Sequence, residues 1–168
     1  MKPVRLILPA LLLFGLACRK EAPRRIENEN LGIAATFPGE AKLYRRDEPT
    51  PFGMIGWFDT AYVPTLRMDE SYHVEVGNLP PGTEGGSTPG EIASTFEKWL
   101  AARLGPVQRT DLPAAQGPGF SYTARGPNHS TVEGVLVIRR GRLHHAQGTA
   151  PKAGDPRLRA FIDSFSVK

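Results

Sequence analysis

The chain has 168 residues, of which 40% are hydrophobic and 23% are charged, and a single cysteine, Cys18. One cysteine excludes a disulfide framework within the chain. The formal net charge of +4 falls to +2 when Lys2 and Arg5, which belong to the N-terminal leader described next, are subtracted. That charge is too small to indicate a nucleic-acid-binding protein, in which Lys and Arg cluster on a basic domain.

The N-terminus has the order of a secretory signal. Lys2 and Arg5 form a short positive region, Leu6 to Leu16 is an apolar run, and Ala17 is a small residue before Cys18. Eleven residues in a helix rise about 16 Å, which is about half of the roughly 30 Å hydrocarbon core of a bilayer. The run is therefore too short for a permanent span, and we predict that residues 1–17 are a signal peptide that is removed.

The segment from Phe14 to Cys18 resembles the lipobox of bacterial lipoproteins, in which a small residue precedes a cysteine that is lipidated and becomes residue one. The leucine of this segment, Leu16, lies one position later than in most lipoboxes. The resemblance implies a lipid anchor at Cys18 in the bacterial cell envelope. Arg19 stands where a retention aspartate would be, which implies the outer membrane, facing the periplasm. An ordinary signal peptide with an incidental cysteine is the alternative.

Residues 18–30 are interpreted as the lipidated cysteine followed by a flexible linker, because Arg19 to Asn30 is polar, contains Pro23 and has no apolar periodicity. Fully extended, about twelve residues reach roughly 40 Å. Basic residues in this stretch either contact anionic lipid headgroups or are simply solvated. Residues 31–168 then form one globular domain, a usual size for a unit with its own core.

Strands are predicted over the first half of this domain, at Gly32–Phe37, Lys42–Arg46, Ile55–Val63 and Ser71–Leu79. The last of these alternates clearly, with Tyr72, Val74 and Val76 on one face. Pro80 to Gly90 reads as a turn-rich loop.

One amphipathic helix follows. Thr88, Pro89 and Glu91 form a capping box with proline at the first helical position. Ile92, Phe96, Trp99 and Leu100 then form an apolar stripe at helical spacing, and Gly105-Pro106 ends the helix.

The second half is predicted to contain strands at Val107–Asp111, Gly119–Ala124, Thr131–Arg139 and Arg142–Thr149, and a short helix that opens at Asp155-Pro156. A two-residue turn at Arg140-Gly141 would place Ile138 opposite Leu143, Leu136 opposite His145 and Val137 opposite His144. Both faces of this hairpin carry apolar side chains, so the sheet needs cover on both sides.

The closing motif from Arg159 to Val167, together with the opening from Gly32 to Gly39 and the turn Arg140–Leu143, resembles the PsbP-like family, whose fold is shared with the Ran-binding MOG protein of yeast. The resemblance implies an α+β fold, an α/β/α sandwich around a mostly antiparallel sheet. It also implies a binding or accessory module rather than an enzyme. His144 and His145 stand where the family often has an aromatic residue.

The four histidines, His73, His129, His144 and His145, are the candidates for a metal site. His144 and His145 are adjacent on a strand and should point to opposite faces, which argues against joint chelation. A metal site would require His73 or His129 to be brought near one of them. We interpret all four as surface or partly buried histidines, and we predict no metal, cofactor or catalytic residue.

Other candidates are equally unspecific. Ser121 lacks the second glycine of a nucleophile elbow. The aromatic residues Trp57, Phe58, Tyr62 and Tyr72 line a groove or fill the core, and Arg139, Arg140 and Arg142 concentrate charge at a hairpin tip.

The sequence thus predicts a membrane-anchored envelope lipoprotein that acts as a non-catalytic module and binds an envelope protein. A periplasmic binder of a small ligand or metal is the alternative, followed by a hydrolase.

Overall fold

The computed structural model describes residues 21–64 and 69–168. The predicted signal peptide and Cys18 lie outside the described residues. The strands are β1 (Arg24–Asn28), β2 (Ile33–Phe37), β3 (Lys42–Thr50), β4 (Gly53–Tyr62), β5 (Ser71–Asn78), β6 (Val107–Asp111), β7 (Gly119–Arg125), β8 (Thr131–Arg139), β9 (Arg142–Ala150) and β10 (Ser166–Val167). The helices are α1 (Thr83–Gly86), α2 (Pro89–Leu104) and α3 (Pro156–Ser164).

Seven strands form one antiparallel sheet in the order β3-β4-β5-β9-β8-β7-β6, and β1-β2-β10 form a separate three-stranded sheet. The predicted hairpin register between β8 and β9 is confirmed, with Ile138 opposite Leu143 and Leu136 opposite His145. Its turn residues Arg140 and Gly141 have φ values of 52° and 71°. Positive φ at both central residues is typical of the type I′ turn that closes two-residue hairpins.

Helix α2 covers one face of the seven-stranded sheet. Its predicted capping box is confirmed, because the Thr88 side chain accepts from the Glu91 backbone N–H and the Glu91 side chain accepts from Thr88. Its buried side chains, including Ile92, Phe96 and Leu100, pack against sheet residues Ile55, Trp57, Phe120, Leu136 and Leu143. We call this group the α2 core.

The opposite face is covered by α3 and the three-stranded sheet together. Tyr72, Val74 and Val76 of β5 pack against Leu158 and Phe161 of α3 and against Ile33 and Phe37 of β2, a group that we call the α3 core. The prediction that both sheet faces need cover is therefore confirmed. The second cover contains a sheet as well as a helix.

Strand β1 corrects the predicted linker. Arg24–Asn28 pairs antiparallel with β2 along its whole length, so the linker interpretation of residues 18–30 is wrong for these residues. The strand forms because Ile26 packs against the α3 core while the backbone completes the edge of a small sheet. A one-turn helix, α1, also lies in the segment that was predicted to be loop.

Candidate functional site

Polar side chains gather on the α2 face of the sheet, beside the α2 core. The strand register places Asp59 of β4 opposite Glu75 of β5, and Glu75 opposite His145 of β9. Directly paired residues in antiparallel strands present their side chains on the same face. Three ionisable groups therefore lie side by side across three neighbouring strands, and all three are buried.

Glu75 is the centre of this polar network. Its Oε2 lies 2.8 Å from Nδ1 of His145, and its Oε1 accepts a hydrogen bond from the guanidinium of Arg46. Burial by itself would raise the pKa of Glu75, but these two partners outweigh it and lower the pKa to about 2. The carboxylate is therefore ionised at neutral pH and has both oxygens bonded within the protein.

His145 is held on several sides. Its Nε2 lies 2.8 Å from the Tyr122 hydroxyl oxygen, which is also 2.8 Å from Oε1 of Gln147. The Tyr122 ring stacks on the imidazole at 5.9 Å between centroids, and Phe96 of α2 meets it edge-on at 5.3 Å. Burial raises the pKa of Tyr122 well above its ordinary value. These contacts fix the imidazole in one orientation.

Arg46 extends the network towards the edge of the sheet. Its guanidinium bonds Glu48 on the same strand as well as Glu75, and Glu48 also accepts from Arg103 in the last turn of α2. Arg103 lies over the Trp99 ring at 4.5 Å. The network therefore ties the end of α2 to strand β3.

His73 and Asp59 form a second pair beside it. The Nδ1 of His73 lies 3.2 and 3.1 Å from the two carboxylate oxygens of Asp59. Burial lowers the pKa of His73, but the hydrogen bond and the charge of Asp59 outweigh it, so the pKa is raised. The His73 side chain is 25% exposed, so this pair is partly accessible to solvent.

Asp59, His73 and Glu75 each offer one ligand atom, and the three atoms lie within 4.8 Å of one another. Two carboxylates and an imidazole are a donor set that Zn²⁺ accepts. However, the Arg46 guanidinium bonds Glu75 and its Nε lies 3.9 Å from Asp59 Oδ2. A cation could bind all three residues only by displacing that guanidinium.

The four predicted histidines divide between three places. His73 and His145 lie on the α2 face, and both neighbour Glu75. His144 lies on the opposite face, as predicted for adjacent residues of a strand. His144 and His145 are both buried, so their interpretation as surface or partly buried histidines is wrong. His129 lies in the turn between β7 and β8, where its Nδ1 accepts from Arg125 at 2.6 Å. The structure thus brings His73 to the acidic residues.

The aromatic residues and Ser121, which were the other candidates for a functional role, contact residues of the core or of a neighbouring strand. Trp57 is fully buried in the α2 core and Tyr72 in the α3 core, so the core interpretation is confirmed for these two. Phe58 and Tyr62 are half-buried against the α3 core. The Oγ of Ser121 lies 3.4 Å from the carbonyl oxygen of Thr110.

The arginines of the hairpin tip contact the small sheet. Arg142 donates to the carbonyl of Asn30 at 3.0 Å and Arg139 to that of Val167 at 3.2 Å. These contacts join the hairpin tip to the loop after β1 and to β10.

His144 gives a testable pH dependence. It is buried, and burial, followed by the charges of Arg142 and Arg139, lowers its pKa from 6.5 to about 4. As the pH falls, His144 is protonated in the unfolded chain at a higher pH than in the folded protein. Its contribution to stability is therefore full above pH 6.5 and is lost as the pH falls towards 4. We expect the wild type to lose about 2 kcal/mol relative to His144→Phe between pH 7 and pH 5.

Denaturant unfolding of both proteins at the two pH values measures this difference. Protonation of His73 changes the stability in the opposite direction, and it does so equally in both proteins. The difference between wild type and His144→Phe therefore isolates the contribution of His144. Equal losses in the two proteins would contradict the assignment.

No helix within residues 21–64 and 69–168 has the length and apolarity needed to cross a bilayer.

No family profile matches the chain, and no curated protein matches it. Among solved structures, the chain is similar to the solution structure of cyanobacterial PsbP (CyanoP) from Synechocystis sp. PCC 6803, with a TM-score of 0.51 and 12% sequence identity. The match covers 87% of this chain and 92% of that chain. The antiparallel sheet and its two covering helices therefore have a PsbP-like α+β fold.

Proposed function

We propose that this protein is a lipid-anchored module of the bacterial cell envelope that binds a protein partner without catalysis. The lipid at Cys18 holds it to the membrane, and the partner is reached from the periplasmic side. The PsbP-like fold supports a binding module, since the resemblance noted in the sequence implies accessory proteins rather than enzymes.

One observation carries the non-catalytic part of this proposal. Glu75 has both carboxylate oxygens bonded by neighbouring side chains, and its partner His145 is enclosed by Tyr122 and Phe96. A general base must reach the proton that it removes, whereas these groups bind one another inside the fold. The network is suited to fixing α2 and the strands relative to each other.

Replacing Cys18 tests the anchor. Expressed as the full chain in a bacterial host, the wild type should incorporate labelled palmitate and sediment with membranes, and Cys18→Ser should do neither. Lys20→Ser, two residues away, is the control and should behave as the wild type. A Cys18→Ser protein that remains membrane-bound would overturn the anchor.

Crosslinking in intact cells tests the partner. Recovery of one envelope protein in stoichiometric amount is the expected outcome.

A second function, binding of a metal ion, is favoured by the geometry of Asp59, His73 and Glu75. A ligand present at 100 times its Kd stabilises the folded state by about 2.7 kcal/mol. A Zn²⁺-dependent rise in Tm that Asp59→Asn abolishes would replace the protein-binding proposal with this one.

A further inference from the structure

Strand β3 is an exposed edge of the seven-stranded sheet. It pairs with β4 on one side, and within residues 21–64 and 69–168 no strand pairs with its other side. Leu43 and Tyr44 of this strand are 56% and 53% exposed. A long edge strand with exposed apolar side chains is a template for pairing with another chain.

The hairpin between β8 and β9 determines which backbone groups of β3 point outward. In a two-residue hairpin the closing residues, here Arg139 and Arg142, exchange both hydrogen bonds, and bonded pairs then alternate along the ladder. The same alternation can be followed through the registers of β9 with β5, β5 with β4, and β4 with β3. It leaves the odd-numbered residues of β3 with N–H and C=O groups that point away from β4, at the free edge of the sheet. The bond from the Leu79 N–H to the Gly141 carbonyl, at 2.8 Å, fits the same alternation.

The charges of β3 are ordered along the strand. Its first half contains Lys42, Arg45 and Arg46, and its second half contains Asp47 and Glu48. Two antiparallel copies of such a strand bring the basic half of each beside the acidic half of the other. The strand is therefore complementary to itself, and a second copy of this chain fits it.

Among the antiparallel registers that pair the middle of β3 with the middle of a second β3, one allows both the backbone hydrogen bonds and the pairing of opposite charges. Residues with outward backbone groups must pair with one another, so odd-numbered residues face odd-numbered residues. Arg45 opposite Asp47 gives two symmetric ion pairs, and it places Leu43 opposite Pro49, which ends the ladder because it has no N–H. A shift by two residues in either direction would place Arg45 opposite Arg45 or Asp47 opposite Asp47.

In this register Arg46 lies opposite its own copy on the two-fold axis. Its guanidinium is neutralised within its own chain by Glu48 and Glu75, so the like charges are compensated.

We propose that two copies of this chain form a symmetric dimer through antiparallel pairing of β3, with Arg45 of each copy opposite Asp47 of the other. The two seven-stranded sheets then become one continuous sheet. This interface lies outside the buried polar network, apart from Arg46 and Glu48, and does not depend on the partner proposed above.

Charge reversal tests the pairing. The full chain, extracted in a mild detergent, should have the mass of two chains by light scattering, with the detergent subtracted. Arg45→Asp or Asp47→Arg each puts like charges together twice because of the symmetry, and should weaken dimerisation about tenfold or more. The double variant Arg45→Asp/Asp47→Arg exchanges the charges and should restore the dimer.

A matched control lies on the opposite edge of the sheet. Gln108→Glu on β6 introduces a charge on an exposed strand that is not in the proposed interface, and should leave the dimer unchanged. Thermal unfolding followed by circular dichroism checks that each variant is folded. A wild type with the mass of one chain at every concentration, single variants that dimerise normally, or a double variant that stays monomeric would each overturn the proposal.

Discussion

Glu75→Ala should lower the free energy of unfolding by about 3–5 kcal/mol, because it removes two hydrogen bonds to an ionised carboxylate, each contributing about 1.5–3 kcal/mol. The substitution leaves the buried His145 without its carboxylate and releases one of the bonds of Arg46. Urea unfolding at neutral pH, monitored by tryptophan fluorescence, measures the difference. Trp57 lies on the neighbouring strand of the same face, so its emission should report the same transition.

Glu97→Ala is the control for this experiment. Glu97 also pairs with an arginine, Arg109, at 2.8 Å, but its side chain is partly exposed, and exposed pairs contribute about 0–1 kcal/mol. Equal effects of the two substitutions would show that the network around Glu75 contributes no more than a surface pair.

The pH dependence of the Glu75 contribution has a defined sign. The pKa of this carboxyl is about 2 in the folded protein, against an ordinary value of 4.5. A lowered carboxyl pKa stabilises the folded state above the unfolded pKa, and that contribution is lost as the pH falls from about 4.5 towards 2. The difference in stability between wild type and Glu75→Ala should therefore shrink over this interval.

Phe161→Ala is the second substitution with a large expected effect, a loss of about 3–5 kcal/mol. Phe161 is buried between the sheet and the small sheet, with Tyr72 edge-on at 5.3 Å and Phe37 at 5.2 Å between ring centroids. Truncation leaves a cavity where α3, β5 and β2 meet. Thermal and denaturant unfolding at pH 7 measure the loss.

Arg159→Ala, two residues earlier on α3, is the matched control. Its side chain is exposed, and its contacts to Asp163 and Glu133 are 3.5 and 3.8 Å long, so we expect a change below about 1 kcal/mol. A loss comparable to that of Phe161→Ala would contradict this expectation, because alanine favours the helix at least as well as arginine and only the long ion pairs of Arg159 are removed.

The helix α2 and the β8–β9 hairpin could be predicted because their signals are local. A capping threonine with a glutamate three residues later, and a two-residue turn between apolar runs, each determine structure within a few residues. The polar network could not be predicted in the same way. On β5, Tyr72, Val74 and Val76 identified an apolar face, and the alternation assigned His73 and Glu75 only to the other face, without showing that this face is covered.

The missing information was long-range. Glu75 is buried because β9 lies beside β5 and α2 covers that face, and neither fact is present in the sequence near residue 75. One feature of the sequence could have predicted this burial. The β8–β9 hairpin is apolar on both faces, so a strand that pairs with it, as β5 does, should also be covered on both faces. Strand β1 was missed for a related reason, since only Ile26 of its side chains packs against the core.

The early start of β1 changes what a lipid at Cys18 would do. Only residues 19–23 separate that cysteine from the first hydrogen-bonded strand, so the extended tether reaches about 20 Å, half of what a linker to Asn30 would allow. With so short a tether, a domain anchored by a lipid at Cys18 would begin within about 20 Å of the lipid surface. Strand β1 belongs to the small sheet on the α3 side of the molecule, so a chain anchored at Cys18 would leave the membrane from that side, and the α2 side would lie farther from the lipid.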